Sequence, residues 1–317
     1  MARRRKPAID PALAPRLGVS RDGQPLSLNR LPAPDLAPWI GWLYATSVEA
    51  PPDYELNCSL LSDTAMIRIQ LEGNWSAQTR DGHISGTTGA LYFGPQSKAM
   101  PITVRGSFTS VGIALKPGTG HSVTGLPAAD FVDRIVPCEE VGLPVGAALG
   151  ALDPTGAPED WLKALETIAR AFLCGAKAKE PNAISARLEW LALTDPSASV
   201  ADFAEENGIS LRQLERNCRR DFGVTPKQVL RRARALDMAS SLRGVSDMAE
   251  EDEMILRYYD QSHMTHEFSR LFGMTPRQFV ETPQPLMTLA LESRQSRRLA
   301  LLERLTPGKP RPWQKAD

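Results

Sequence analysis

The chain has 317 residues, of which 42% are hydrophobic and 23% charged, and its formal net charge is zero. This composition is typical of a soluble globular protein with room for two domains of ordinary size. No run of about 18 apolar residues occurs, so the sequence predicts no membrane-spanning helix. The basic start MARRRK continues with prolines and an aspartate instead of an apolar core, which predicts no secretory signal.

The four cysteines, Cys58, Cys138, Cys174 and Cys218, lie far apart and form no CxxC pair. Scattered single thiols are typical of a reducing compartment, and they argue against a disulfide framework or a zinc knuckle. We therefore expect a cytoplasmic protein without a metal or another cofactor.

The predicted elements divide the chain into five segments. Residues 1–38 hold many prolines and few aromatic residues, which predicts a mostly disordered arm. Across 39–177, stretches such as TAMIRIQLEGNW alternate apolar and polar residues between turn signals such as RDGHISG, and this pattern predicts a β-barrel or sandwich with trailing helices. A linker at 178–183 precedes an all-helical region at 184–282. A helical extension and tail are predicted for 283–317.

Two features of the N-terminal domain leave alternatives open. The segment 158–177 carries an apolar stripe of period 3.6, which predicts a helix that packs on its own domain or forms a dimer interface. Trp75, Tyr92 and Phe93 stand on predicted strands, where they would fill the core or line a ligand pocket.

The C-terminal half repeats one phrase, because FGVTPKQ at 222–228 returns as FGMTPRQ at 272–278. Such a repeat predicts two copies of one structural unit. In the first copy, Ser199 and Ser210 are the predicted N-caps of two short helices joined by a glycine-containing turn. Two short helices joined in this way predict a helix-turn-helix.

The helix after each turn places polar side chains on one face, which suits insertion into the major groove of double-stranded DNA. The residues predicted to contact bases are Arg212, Glu215 and Arg216 in the first copy and Gln261, Ser262, Thr265 and His266 in the second. Helix N-termini and arginines hold phosphates, so the predicted phosphate contacts are Ser210, Arg219, Arg220, Thr225, Arg270 and Thr275. Two such helices about 34 Å apart, one DNA turn, would occupy successive grooves.

Each of these assignments has an alternative. Arg212 and Arg216 would otherwise bind phosphate or remain solvated, and Glu215 would otherwise pair with Arg219. Arg220 and Arg270 would otherwise have partners within the protein.

Charge is segregated although the total is zero. Between 209 and 243 there are nine basic residues and three acidic ones, and the acidic run AEEDE follows at 249–253. Local sign matters more than net charge for attracting a polyanion, so this stretch favours DNA as the partner. A solvated helix face is the plain alternative.

The strings RDFGVTPKQVLRRARALDMA and YYDQSHMTHEFSRLFGMTPRQF resemble the DNA-binding domain of AraC/XylS-type transcription regulators, over about 184–282. The N-terminal half, notably SVGIALKPGTGHSVTGLPAADFVDRIVPCEEV, is more weakly similar to sensor domains of some regulators of that family. The resemblance implies an α+β multidomain fold, with a β-barrel- or sandwich-like sensor domain before an all-α domain with two helix-turn-helix units. It implies a sequence-specific DNA-binding regulator that senses a ligand or partner and contacts RNA polymerase, and a homodimer is a further possibility.

The second unit departs from the family pattern. Arg257 stands where the family usually has glycine, the acidic run precedes it, and His266 stands where the family often has arginine. Acidic side chains repel DNA phosphates, so the first unit is predicted to hold DNA more firmly.

The alternatives to this prediction are a metal site, an enzyme and a domain that binds only protein partners. His263 and His266 have the spacing of helical metal ligands, but no third ligand lies nearby in the sequence, so no metal site is predicted. An enzyme with a catalytic N-terminal barrel and a helical appendage would need a cluster of acid, base or metal-binding residues, and none can be assembled from the barrel sequence. The N-terminal domain would alternatively bind only protein partners. The extension at 283–317 would pack on the helical region, contact RNA polymerase or mediate dimers.

Overall fold

The computed structural model of the protein describes residues 6–143, 150, 152–247, 261–305 and 310–315, and for 261–263 it describes the backbone alone. Its N-terminal half is β-rich and its C-terminal half is helical, as the sequence predicts. Among the helices of this part of the chain, none combines the length and the apolar character that crossing a membrane requires.

The N-terminal half is an antiparallel sheet, which has nine strands in the described residues. The strands are β1 (Ala14–Pro15), β2 (Leu28–Arg30), β3 (Ile40–Glu49), β4 (Glu55–Leu60), β5 (Met66–Thr79), β6 (Gly82–Gly86), β7 (Gly89–Phe93), β8 (Met100–Leu115) and β9 (Ile135–Pro137). The main order is β1-β3-β8-β5-β7-β9, while β2 pairs with β3, β4 with β8 and β6 with β5. Each of the two long strands, β5 and β8, therefore pairs with different neighbouring strands at its two ends.

A bulge interrupts the pairing of these two long strands. The register between β5 and β8 shifts between Gln70 and Asn74, and bulges of this kind bend a strand. Gly73 lies at the bend with φ +112°, and a Cβ there would stand 2.9 Å from the backbone oxygen of Ser107. Only glycine combines that backbone conformation with so close an approach. The bent sheet gives the N-terminal half the barrel- or sandwich-like form predicted for it.

Residues 6–38 are packed against the rest of the protein, so the predicted disordered arm is wrong for this segment. Strands β1 and β2 both pair with β3. Leu26 and Leu36 are each 2% exposed, and the N–H of Ala8 donates to the oxygen of Val280 at 2.8 Å. Composition alone did not predict these contacts, because they depend on pairing with β3 and on the distant Val280.

The N-terminal half also contains helices α1 (Thr119–Thr124) and α2 (Pro158–Gly175), and single 3-10 turns at Ala128–Phe131 and Cys138–Val141. The apolar stripe of α2 packs on the sheet, with Trp161, Leu162 and Leu165 inside the sheet's hydrophobic core. Of the two alternatives for this stripe, the structure shows packing on its own domain.

The helical domain contains α3 (Ala183–Thr194), α4 (Val200–Glu206), α5 (Leu211–Phe222), α6 (Pro226–Arg243), α7 (Gln261–Phe272) and α8 (Pro276–Glu281). Helices α4 and α5 form the first helix-turn-helix, and Phe203, Leu214 and Phe222 lie in its core. Helices α7 and α8 belong to the second unit, whose core contains Phe268 and Phe279. Helix α6 connects the two units.

Helix α9 (Pro285–Leu301) lies between the two halves of the protein. Leu286 and Leu289 belong to a core formed with the sheet, whereas Met287 and Leu291 belong to the core of the second helix-turn-helix unit. Of the alternatives for the extension at 283–317, the structure shows packing, and it shows packing on both halves.

Candidate nucleic-acid interface

Helix α5 is the first candidate recognition helix. It follows its N-cap Ser210, whose hydroxyl accepts a hydrogen bond from the N–H of Gln213 at 3.2 Å. Leu214 and Cys218 are each 1% exposed and anchor the inner face. The opposite face carries the exposed side chains of Arg212, Glu215, Arg216 and Arg219. The residues predicted to contact bases in the first unit therefore share one accessible face.

Each copy of the repeated phrase begins a capped helix. The hydroxyl of Thr225 accepts a hydrogen bond from the N–H of Gln228, whose side-chain oxygen accepts one from the N–H of Thr225 at 2.9 Å. Thr275 and Gln278 form the same reciprocal pair in the second copy. This is a capping box, and it places both predicted phosphate contacts, Thr225 and Thr275, at helix N-termini.

Two arginines of the basic stretch are turned inward. Arg232 and Arg243 are 2% and 0% exposed. Arg243 donates to the side-chain oxygen of Gln24 at 2.6 Å and to the oxygen of Ala8 at 2.8 Å. Burial lowers the pKa of Arg243 to about 10. These two cations hold the helical domain to the N-terminal half and are withdrawn from any DNA-facing surface.

Three further cations are neutralised by neighbouring carboxylates. The Nε of Arg220 lies 2.7 Å from Oδ1 of Asp221, and this hydrogen bond raises the pKa of Arg220. Arg231 and Arg234 both face Glu267, with the Nε of Arg231 2.6 Å from Oε1 of Glu267. The alternative of a partner within the protein thus holds for Arg220. The exposed cations of the stretch are Arg212, Arg216, Arg219 and Lys227.

Helix α7 is the candidate recognition helix of the second unit. Phe268 and Phe272 anchor it, with ring centroids 4.3 Å apart. Thr265, His266 and Arg270 are exposed. The side chains of Gln261 and Ser262 and the whole of 248–260, including Arg257 and the acidic run, lie outside the described residues.

The N-terminal half contacts the end of the first recognition helix. The N–H of Gly118 donates to the backbone oxygen of Asp221 at 3.3 Å. The turn at Ala128–Phe131 packs on α5, and a Cβ built on Gly223 would stand 2.4 Å from a methyl carbon of Val132. This part of the N-terminal half therefore packs directly on the end of α5.

Ion pairs of α9 join both halves. Arg294 pairs with Asp63, which follows β4, at 3.0 Å and with Asp237 of α6. Burial works against the charge, but the two carboxylates outweigh it and raise the pKa of Arg294. Arg297 pairs with Glu189 of α3. Helix α9 thus connects the sheet to α3 and α6 of the helical domain through buried charges.

A cavity of about 80 Å³ lies between the inner face of the sheet and α9. Trp75 and Phe93 line the cavity, as the pocket alternative predicted. Tyr92 instead packs in the sheet's core, as the core alternative predicted. Arg68 projects into the lining with its guanidinium 4.9 Å from the Phe93 ring centre, and its Nε donates to the hydroxyl of Tyr44 at 3.0 Å. Within the described residues no carboxylate pairs with Arg68. The lining also includes Asp63, Arg294 and Arg297 beside its apolar side chains. Because Asp63 pairs with Arg294 and Arg297 pairs with Glu189, Arg68 is the lining cation that is left without a carboxylate partner among the described residues.

His263 and His266, which have the spacing of helical metal ligands, have no further metal ligands beside them in the part of the chain that the structure describes. His266 is exposed, and the side chain of His263 lies outside the description. Over the described ranges, no group of three or more histidine, cysteine, aspartate or glutamate side chains could hold a metal ion.

Comparison with known families agrees with the geometry of the two units. A family model described as a helix-turn-helix domain matches residues 203–282, from α4 through both candidate recognition helices. The C-terminal region is an AraC/XylS-type helix-turn-helix domain. It makes the chain a DNA-binding regulator of transcription. A second model, described as a domain of unknown function (DUF6597), matches residues 29–137 of the sheet.

Solved structures give distant likenesses over most of the chain. ToxT from Vibrio cholerae strain SCE256 with bound unsaturated fatty acid is 11% identical, covering 75% of this chain and 94% of that chain with a TM-score of 0.44. ToxT from strain O395 bound to (E)-4-(8-methylnaphthalen-1-yl)but-3-enoic acid is 8% identical over 75% and 98%, with a TM-score of 0.45. The AraC-like transcriptional activator CuxR is 14% identical over 67% and 86%, with a TM-score of 0.28. No curated protein matches the chain.

Proposed function

We propose that this regulator binds specific DNA sequences through α5 and α7, and that α5 provides the firmer grip. The observation that carries the proposal is the exposed row of Arg212, Arg216 and Arg219 on α5. In the described part of the chain no ion pair occupies these three side chains, whereas other arginines nearby are buried or paired. Long side chains that project from a recognition helix and form no ion pair within the protein can donate hydrogen bonds to base edges and phosphates.

Substitutions on α5 separate base contacts from phosphate contacts. Arg216→Ala is expected to weaken specific binding by about 1–3 kcal/mol and to relax sequence preference at one position, because Arg216 contacts a base. Arg219→Ala is expected to weaken binding equally on all sequences and to reduce the salt slope by about 1, because it contacts phosphate. Fluorescence anisotropy with the DNA upstream of the protein's own gene, at several salt concentrations, measures both effects.

Arg105→Ala is the matched control for loss of one exposed arginine. Arg105 stands on β8 and pairs with Glu55 on the sheet surface, so its loss is expected to leave DNA binding unchanged. If the unmodified protein shows no salt-sensitive, sequence-dependent binding, the proposal is wrong.

Helix α7 is proposed to contact the adjacent major groove through Thr265 and His266, with Arg270 and Thr275 near the backbone. An imidazole offers fewer hydrogen-bond donors to bases and phosphates than a guanidinium does. His266→Ala is therefore expected to weaken DNA binding less than Arg216→Ala in the same anisotropy assay.

The N-terminal domain is proposed to sense a small organic anion in the cavity behind α9. About 80 Å³ corresponds to roughly two or three water molecules at about 30 Å³ each, which suits a short carboxylate of about the size of propionate. The aromatic walls would enclose its apolar body, and Arg68 would bind its carboxylate. The presence of this cavity favours a ligand over a protein partner as the signal. Contacts with RNA polymerase and self-association remain predictions.

Thermal unfolding with a panel of small carboxylates, starting with propionate, tests the sensing proposal. Propionate is expected to raise the midpoint of unfolding and propionamide is not, since only propionate supplies a negative charge to pair with Arg68. Arg68→Met is expected to remove the difference between the acid and the amide. A domain that responds to no member of the panel would instead favour a protein partner.

A further inference from the structure

A second cavity lies at the junction of the sheet and both helix-turn-helix units. Its volume is about 300 Å³. One wall is the Ser97–Lys98 segment between β7 and β8, another is the start of α6, and the third is the end of α7. The polar side chains that line it are Ser97, Lys98, Gln228, Arg231, Arg232 and Arg270.

The lining is strongly basic. Four of its side chains are cations, and none is a carboxylate. Arg231 pairs with Glu267 behind the wall, while Lys98 and Arg270 are exposed and pair with no carboxylate in the part of the chain that the structure describes. The further acids that act on the lining are Asp63, which pairs with Arg294, and Asp133, whose carboxylate accepts hydrogen bonds from the N–H and the hydroxyl of Ser97. Because Glu267 is shared with Arg234 and Asp63 with Arg294, these carboxylates do not balance the four cations of the lining, and positive charge is left over.

Arg232 forms the buried part of this lining. It is 2% exposed, and its two terminal nitrogens donate to the backbone oxygens of Gln96 at 2.6 Å and Asp63 at 2.7 Å. Neither bond is to a carboxylate, and its buried Nε has no hydrogen-bond partner. Burial lowers the pKa of Arg232, which is the signature of a cation held where its charge is poorly compensated.

The walls are fixed to one another before any ligand binds. The bonds from Arg232 hold α6 to the segments around Asp63 and Gln96, and the N–H of Ala99 donates to the oxygen of Leu271 at 2.7 Å. The cations therefore converge on a preformed cleft, which lowers the ordering cost of binding.

We propose that this cleft binds a compact multivalent anion, namely a small phosphorylated metabolite, and that the bound anion adds to the existing contacts between the second helix-turn-helix unit and the sheet. Guanidinium, ammonium, amide and hydroxyl donors at one place suit phosphate oxygens. Only Val224 and Leu271 offer apolar lining, so a ligand with a large apolar body fits poorly. The proposal is independent of the cavity behind α9 and of its ligand.

Isothermal titration with pyrophosphate at constant ionic strength tests the proposal, with orthophosphate as the lower-charge comparison. We expect one saturable site that prefers pyrophosphate. Lys98→Gln and Arg270→Gln are each expected to weaken it about tenfold to a hundredfold, since each removes one hydrogen bond to a charged group. Lys163→Gln is the matched control, because Lys163 is an exposed lysine on α2 that pairs with Asp160, and it is expected to bind pyrophosphate normally.

Duplex DNA separates the proposed ligand from the nucleic-acid backbone. Without pyrophosphate, Lys98→Gln is expected to bind DNA as the unmodified protein does. If Lys98→Gln instead loses affinity for DNA, the cleft belongs to the DNA backbone and the proposal is overturned. It is also overturned if no saturable pyrophosphate binding occurs, or if binding persists unchanged in folded Lys98→Gln and Arg270→Gln, with the fold checked by circular dichroism.

Discussion

The two glycines of the repeated phrase form a natural matched pair for testing the contact between the N-terminal half and α5. Gly223 and Gly273 follow equivalent helices with φ +76° and +70°. A side chain in this left-handed region costs about 1–2 kcal/mol at either position. A Cβ on Gly223 would also stand 2.4 Å from Val132 and 3.1 Å from the oxygen of Ala128, whereas a Cβ on Gly273 meets nothing within 4 Å.

Gly223→Ala is therefore expected to cost more stability than Gly273→Ala. Overpacking a fitted contact costs about 1–3 kcal/mol, so Gly273→Ala should lower the free energy of unfolding by about 1–2 kcal/mol and Gly223→Ala by about 2–5 kcal/mol. Urea unfolding followed by circular dichroism and tryptophan fluorescence measures both values. The excess at Gly223 reports the contact between the two halves.

Val132→Ala removes the methyl carbons that Gly223→Ala would strike. In the Val132→Ala background, the excess cost of Gly223→Ala over Gly273→Ala is expected to shrink, because the new Cβ then has room. Equal costs of Gly223→Ala and Gly273→Ala in the unmodified background would refute the reasoning, since they would mean that Val132 does not pack on α5 in solution.

Two further predictions concern buried groups. Arg294→Met is expected to lower the free energy of unfolding in urea by about 3–5 kcal/mol, because it leaves Asp237 charged and buried. Asp237→Leu together with Arg294→Met is expected to lower it less than Arg294→Met alone. A loss below about 1 kcal/mol for Arg294→Met would contradict a buried pair. Burial raises the pKa of Cys58, and it raises the pKa of Cys138 and of Cys218 to about 12. Cys174 is exposed, so at pH 8 a thiol reagent is expected to modify Cys174 at once and the other three only on unfolding. Rapid modification of all four in the folded protein would contradict the packing.

The helix starts could be predicted from the sequence because each depends on residues within one turn. Ser199, Ser210 and Thr225 are N-caps as predicted, and the bond that defines each cap reaches only three residues ahead. The exposed face of α5 follows from the same local periodicity. These parts of the candidate interface needed no knowledge of the rest of the chain.

The partners of the buried charges could not be predicted in this way. Arg243 lies in a basic stretch that suggested a DNA-facing surface, yet it donates to Gln24 and Ala8, more than 200 residues earlier in the chain. Arg294 and Glu292 give α9 the composition of a solvated helix, although they are 6% and 0% exposed. A one-dimensional pattern shows that a residue is charged, whereas only the fold shows whether a distant partner compensates it.

The position of α9 near the end of the sequence also determines when the fold of the N-terminal half can be completed during synthesis. The sheet strands leave the ribosome well before residues 285–301, so their inner face must wait for Leu286 and Leu289 to cover it. Until then the nascent chain presents apolar strand surface, which favours aggregation. A chain that stops before α9 would lack both the cover of Leu286 and Leu289 over the sheet and the ion pairs of Arg294 and Arg297.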